Sequence, residues 1–165
     1  MAHPDYKKSE QKAAELLKKY SITEPIVNVF DIVKNEGLDL KFIKFPPKLQ
    51  EVAGFFDPDT KTIFVNAEEP TNRQTFTVAH ELGHYLLEHK PTEYKVLMRW
   101  EKPEGEKQPL EQEANCFAAC LLVPENILKD TMKKYDLGKH DLDVRILAQM
   151  FGVSREMMKY RLMKI

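Results

Sequence analysis

The sequence predicts an α+β fold, with helices packed on a small, mostly antiparallel sheet and a C-terminal helical segment after it. Three observations carry that expectation. Apolar residues recur at helical spacing before residue 37 and again from residue 72 onward. Between these stretches the apolar period falls to two. Within that middle stretch, Asp57-Pro58-Asp59-Thr60-Lys61 supplies turn chemistry between two β-rich runs.

Taken in order, residues 9–20 form an amphipathic helix with Ala13, Leu16, Leu17 and Tyr20 on one face and Ser9 as its cap. Residues 26–36 follow, with Ile26, Val29, Phe30 and Val33 in phase, Pro25 before them and Gly37 after. Leu38, Leu40, Phe42 and Phe45 fit a strand ended by Pro46-Pro47. Gly54-Phe55-Phe56 and Thr62-Ile63-Phe64-Val65 are the arms of a hairpin. Residues 72–89 read as a helix, with Thr71 and Gln74 at capping-box spacing. Residues 91–109 are polar, broken by Pro91, Pro103, Gly105 and Pro109, and read as a loop. Helices are expected at 111–122, 125–134 and 142–163. The expected division is residues 1–125 as a main domain and 126–165 as a helical segment packed on it.

The bulk numbers exclude several classes. With 42% apolar and 31% charged residues, the chain can build a core and is not globally disordered. A net charge of −1 gives no overall pull toward nucleic acid. No apolar run approaches the roughly 20 residues that span a bilayer, and the polar N-terminus lacks a signal-peptide core. A cytoplasmic location is expected. Cys116 and Cys120 lie four apart, not at CxxC spacing, and read as two plain thiols.

The chemistry lies in His80-Glu81-Leu82-Gly83-His84. On a helix, residues four apart sit about 40° from one another on one face. Two imidazole nitrogens can then share one ion, and zinc accepts them at about 2.0–2.1 Å. Glu81, one residue round, occupies the general-base position of the HExxH pattern. Zinc would acidify a water and polarise a carbonyl, while Glu81 takes the proton during attack. Gly83 costs a helix roughly 1 kcal/mol against alanine, so a reason for it is expected, and leaving the ligand side open is one.

A catalytic zinc has three protein ligands and one open position. His89 falls near the far side of the motif helix and reads as solvated. On the helix at 111–122, Glu111 lies within the apolar face formed with Ala114, Ala118, Leu121 and Leu122, whereas Glu113 falls on the outer side. A carboxylate on a buried face needs a partner, and a metal is a good one. Glu111 is therefore favoured over Glu113, with both as ordinary first-turn acids the bland alternative. Asn115, one turn on, could hydrogen-bond a ligand.

These two segments together resemble the ImmA/IrrE family of metallopeptidases. The quoted residues are His80 to His84 and then Glu111-Gln112-Glu113-Ala114-Asn115-Cys116-Phe117-Ala118-Ala119-Cys120-Leu121-Leu122-Val123-Pro124. Val123 stands where the family pattern usually has Met. The resemblance covers roughly residues 10–125. It implies a gluzincin-like fold, with His80, His84 and a helix glutamate as zinc ligands, and the interval from His84 favours Glu111. It implies an endopeptidase that cleaves or inactivates a helix-turn-helix repressor of a bacterial or phage regulatory pair. A non-catalytic zinc-binding regulator is the alternative.

Two further expectations concern partners. One arm of the 54–65 hairpin would be the sheet edge that pairs with an extended peptide, with Tyr94, Arg99 and Trp100 in the following loop closing over it. Residues 144–163 resemble a helix-turn-helix, with its turn at Gly152-Val153-Ser154. Arg155, Lys159, Arg161 and Lys164 give it a basic side. DNA binding through this segment is the less favoured role, packing or partner docking the favoured one.

Overall fold

The first helix, α1 (Tyr6–Lys19), begins a turn earlier than the apolar pattern suggests, because Asp5 caps it by accepting the Lys8 N–H at 2.9 Å. Ser9, the expected cap, lies buried inside the helix and its hydroxyl donates to the Asp5 carbonyl. This is a computed structural model, and it describes residues 3–90, 96–98 and 108–165. The next helix, α2 (Val29–Asn35), is shorter than expected: Asn28 caps it through the Asp31 N–H, and Ile26 is left exposed outside it.

Strand β1 (Asp39–Ile43) follows, then β2 (Val52–Asp57) and β3 (Thr62–Asn66), which form the expected hairpin with Gly54 opposite Val65. A short strand, β4 (Leu97–Met98), interrupts the segment that reads as a loop in sequence. The order is β1-β3-β2-β4, with β1 parallel to β3 and the other two pairings antiparallel. Both hairpin arms are therefore interior strands. The expectation that one of them is the free edge is overturned, since β4 covers β2 and β1 covers β3. Tyr94, Arg99 and Trp100 lie outside the described residues.

Helix α3 (Thr71–Leu86) carries the motif across the sheet. The capping box does not form: Pro70 precedes the helix, and no side chain caps it. Gln74 instead donates to the carbonyls of Asn66 and Ala67, tying the first turn of α3 to the end of β3. Close approach of α3 to the sheet needs Gly54, where a Cβ would sit 2.5 Å from the Phe64 oxygen and 2.6 Å from Thr77 Cγ2.

Four more helices complete the chain: α4 (Pro109–Leu122), α5 (Glu125–Tyr135), α6 (Asp141–Phe151) and α7 (Arg155–Lys164). Pro109 opens α4 where its missing N–H has no helical partner to lose. Gly152, at φ +68°, ends α6, and Ser154 caps α7 through the Met157 N–H. The α6–turn–α7 pair thus follows the sequence expectation. Arg161 does not join a basic surface: it is buried, and its Nε donates to the Val123 carbonyl at 2.9 Å. One apolar core runs from Ala13 and Val33 through Leu82 and Phe117 to Leu147, Phe151 and Met158. No helix among the described residues is long and apolar enough to cross a membrane.

Candidate metal centre

Helices α3 and α4 meet face to face at Gly83. A Cβ there would lie 2.8 Å from the buried Phe117 ring, so the glycine's reason is helix–helix contact. This closeness brings the first turn of α4 against the motif. His80 and His84 are both fully buried, and Glu111 is nearly so. Their Nε2 atoms lie 3.1 Å apart, with Glu111 Oε2 at 3.1 Å from His80 and Oε1 at 3.0 Å from His84. Bonds of about 2.0–2.1 Å to a tetrahedral ion would put neighbouring donors roughly 3.3 Å apart. The donor set of two imidazoles and a carboxylate thus fits a small metal ion.

Hydrogen bonding orients the atoms that could ligate a metal. His80 Nδ1 lies 2.8 Å from Asn115 Oδ1, which can only accept. His80 therefore carries a proton on Nδ1, and as a neutral ring it would present its Nε2 lone pair to the cluster. Burial opposes a charge on His80, but the contact with Glu111 outweighs it and raises its pKa. Burial holds the His84 imidazole well below its ordinary range, at about 3, so it is neutral. Burial alone would raise Glu111, but its contacts with His80 and His84 hold it down at about 2, so it is a carboxylate.

Glu81 stands apart. Its side chain is 1% exposed, and neither carboxylate oxygen has a hydrogen-bond partner among the described residues. Burial first, and the Glu111 charge after it, push its pKa to about 8, against the opposing effect of His80. Leaving such a group buried without partners costs several kcal/mol of desolvation if it ionises, which stabilising the core does not explain. Strongly shifted groups of this kind cluster at functional sites, and this one lies beside three side chains that could hold a metal ion.

Two residues are placed otherwise than the sequence suggests. His89 is not solvated: its side chain is 5% exposed, with Nδ1 at 2.9 Å from His84 Nδ1 and Nε2 at 2.8 Å from Glu113 Oε2. Glu113 does not face outward. It is buried, and its Oε1 accepts the backbone N–H of Asp5 at 2.8 Å. The helical phase misplaced His89 because α3 stops at Leu86. Glu88 adopts the left-handed conformation at φ +61°, and the N–H groups of Glu88 and His89 bond back to the Tyr85 and His84 carbonyls. Such a stop usually shows as glycine, and a glutamate hides it. A second cluster, Glu10 with the free thiols of Cys116 and Cys120, includes an exposed carboxylate and lies outside this centre.

The sequence profile of the IrrE N-terminal-like domain matches residues 35–163. The chain belongs to the IrrE N-terminal-like family. Among similar proteins, the radiation response metalloprotease IrrE of Deinococcus radiodurans is 30% identical over 99 residues, 60% of this chain and 29% of the relative. The metallopeptidase ImmA of Bacillus subtilis is 30% identical over 76 residues, 46% of this chain and 43% of the relative. The chain thus spans less than half the length of these IrrE-family relatives. A Mycobacterium tuberculosis transcriptional regulator has a similar structure, with a TM-score of 0.64 over 93% of this chain and 46% of that one. At 15% identity this shows a shared fold. The match to residue 163 also places α6 and α7 inside the family's own stretch.

Proposed function

We propose that the chain is a zinc-dependent endopeptidase, with His80, His84 and Glu111 as the ligands and Glu81 as the general base. The observation that carries this reading is the buried, unpartnered Glu81 carboxylate beside a three-donor ligand set. The relatives named metalloprotease and metallopeptidase support it. Zinc bound there supplies Lewis acidity, polarising the scissile carbonyl and making water acidic enough to be activated near neutral pH.

The remaining work falls to the chain. Asn115 holds His80 in the ligating tautomer. Glu81 takes a proton from the attacking water on a carboxylate oxygen and returns it to the leaving amine. Its burial excludes bulk water from that exchange. The substrate proposed is a protein regulator, a helix-turn-helix repressor, which follows from the ImmA/IrrE resemblance. Exposed Arg155 and Lys159 on α7 remain for docking such a partner.

Glu81→Gln separates this reading from the non-catalytic one. The variant should bind one zinc per chain as the unaltered protein does and lose at least about 10²-fold in cleavage rate, the usual worth of a general base. Mass spectrometry of a candidate repressor after incubation with the zinc-loaded protein reads the cleavage. A variant with full activity overturns the assignment, and unaltered biological activity in the variant favours a regulator that acts by binding.

A further inference from the structure

A zinc ligand's far nitrogen must be told which way to hold its proton, and for His84 the structure shows how. We propose that His89 and Glu113 form a positioning relay that fixes His84 in its ligating tautomer, anchored by the N-terminus of α1. The proposal rests on the reading of His80, His84 and Glu111 as the ligand set.

The argument is one of hydrogen-bond polarity. His84 Nε2 faces Glu111 and His80, so as a ligand it must carry a lone pair there. A neutral imidazole has one N–H, which then sits on Nδ1. That hydrogen points at His89 Nδ1, 2.9 Å away, which must accept it. His89 is then neutral with its own proton on Nε2, and that N–H needs an acceptor. Glu113 Oε2, at 2.8 Å, is a carboxylate oxygen and can do nothing else. The other Glu113 oxygen receives the Asp5 N–H, the free donor at the start of α1, where the helix dipole favours an anion. With neutral rings, reversing the His84–His89 bond would set the His89 Nε2 lone pair against a Glu113 oxygen, acceptor against acceptor. Once His84 Nε2 keeps its lone pair for a ligand, this direction of bonds is the one that gives every contact a donor and an acceptor.

The relay also assigns a role to α1, which lies outside the family-matched residues 35–163. Lys8 Nζ donates to the Leu87 carbonyl at the end of α3, and Asp5 holds Glu113 on α4. One turn of α1 therefore fastens both helices that carry the ligands.

The test compares zinc affinity, by competition with a chromogenic chelator, in the full chain and in three variants. His89→Leu keeps volume and removes the acceptor. His89→Asn keeps an oxygen near the position of Nδ1. Glu113→Gln replaces one acceptor oxygen with a donor. Outer-shell partners of this kind are worth about 10–100-fold in metal affinity. Zinc binding should weaken by that factor in His89→Leu and Glu113→Gln and by less than about 10-fold, the lower end of that range, in His89→Asn, which retains an acceptor. Nitrogen-15 spectra of the zinc-loaded unaltered protein should show His89 protonated on Nε2 alone. Doubly protonated His89, its Nδ1–H tautomer, or equal losses in His89→Leu and His89→Asn overturns the relay. So does one zinc per chain held as tightly in all three variants as in the unaltered protein. An unaltered chain that takes up no zinc overturns the ligand set, and the relay with it.

Discussion

At the scale of single residues, Gly83 decides how near α4 comes to the motif. An alanine would gain the roughly 1 kcal/mol that helix propensity offers. Its Cβ would also meet Phe117 at 2.8 Å, and Phe117 is fully buried with no solvent to yield into. Overpacking of that kind costs about 1–3 kcal/mol. Gly83→Ala should therefore lower the stability of the metal-free protein by up to about 2 kcal/mol in urea unfolding, the overpacking cost less the propensity gain. It should also weaken zinc binding, because Glu111 rides on the displaced helix. Unchanged stability with unchanged affinity would show that α4 can shift freely. The meeting of His80, His84 and Glu111, the ligands we propose, was legible in the sequence because each obeys helical phase within a helix that forms as expected. Glu113 was not: its partners are His89, past the end of α3, and the backbone of Asp5, over a hundred positions away. Phase on one helix reports which way a residue faces, and carries no information about what another element brings to that side.

At the scale of elements, the end of α3 matters most. The motif helix closes through Glu88 in the left-handed region, a conformation that costs a residue with a Cβ about 1–2 kcal/mol. Glu88→Gly relieves that cost and should raise stability by up to about 1 kcal/mol while leaving His89 in place. Glu88→Pro cannot adopt φ +61° and removes the N–H that bonds the Tyr85 carbonyl, so it should cost about 3 kcal/mol or more and loosen zinc binding as His89 moves. Thermal unfolding of both variants checks the pair, and an equal effect of glycine and proline would argue against the helix stop. The same element shows why the hairpin was readable and the sheet order was not. Period-two alternation and the turn at residues 58–61 are local, so β2 and β3 could be placed from them. The two residues of β4 lie within the long polar segment at 91–109 and pair with β2 only through tertiary contact. That pairing makes β2 an interior strand and, among the described residues, leaves β1 and β4 as the outer strands.

At the scale of the whole molecule, the boundary after residue 125 divides roles, in our proposal, and not folding. The core that contains Leu82, Phe117, Leu121 and Leu122 also contains Leu128, Val144, Leu147, Phe151, Met158 and Leu162 from beyond that point. Burying side chains of this size is worth about 1.5–3 kcal/mol each. Removing six of them takes away an amount comparable with the whole 5–15 kcal/mol by which a domain exceeds its unfolded state. The cut also removes Arg161, whose Nε satisfies the Val123 carbonyl where α4 ends. Helix α4 carries Glu111 near its other end, so the ligand set we propose would rest on a helix that packs against the C-terminal ones. A fragment of residues 1–125 should then show no cooperative urea transition and no stoichiometric zinc uptake. Arg161→Leu in the full chain, a milder change, should lower stability by about 1.5–3 kcal/mol, the range for a buried hydrogen bond to a charged group. A 1–125 fragment that unfolds cooperatively and binds one zinc would make the C-terminal helices a separate module. Their role would then be docking alone, and the core they share with α3 and α4 would be an interface between two folding units.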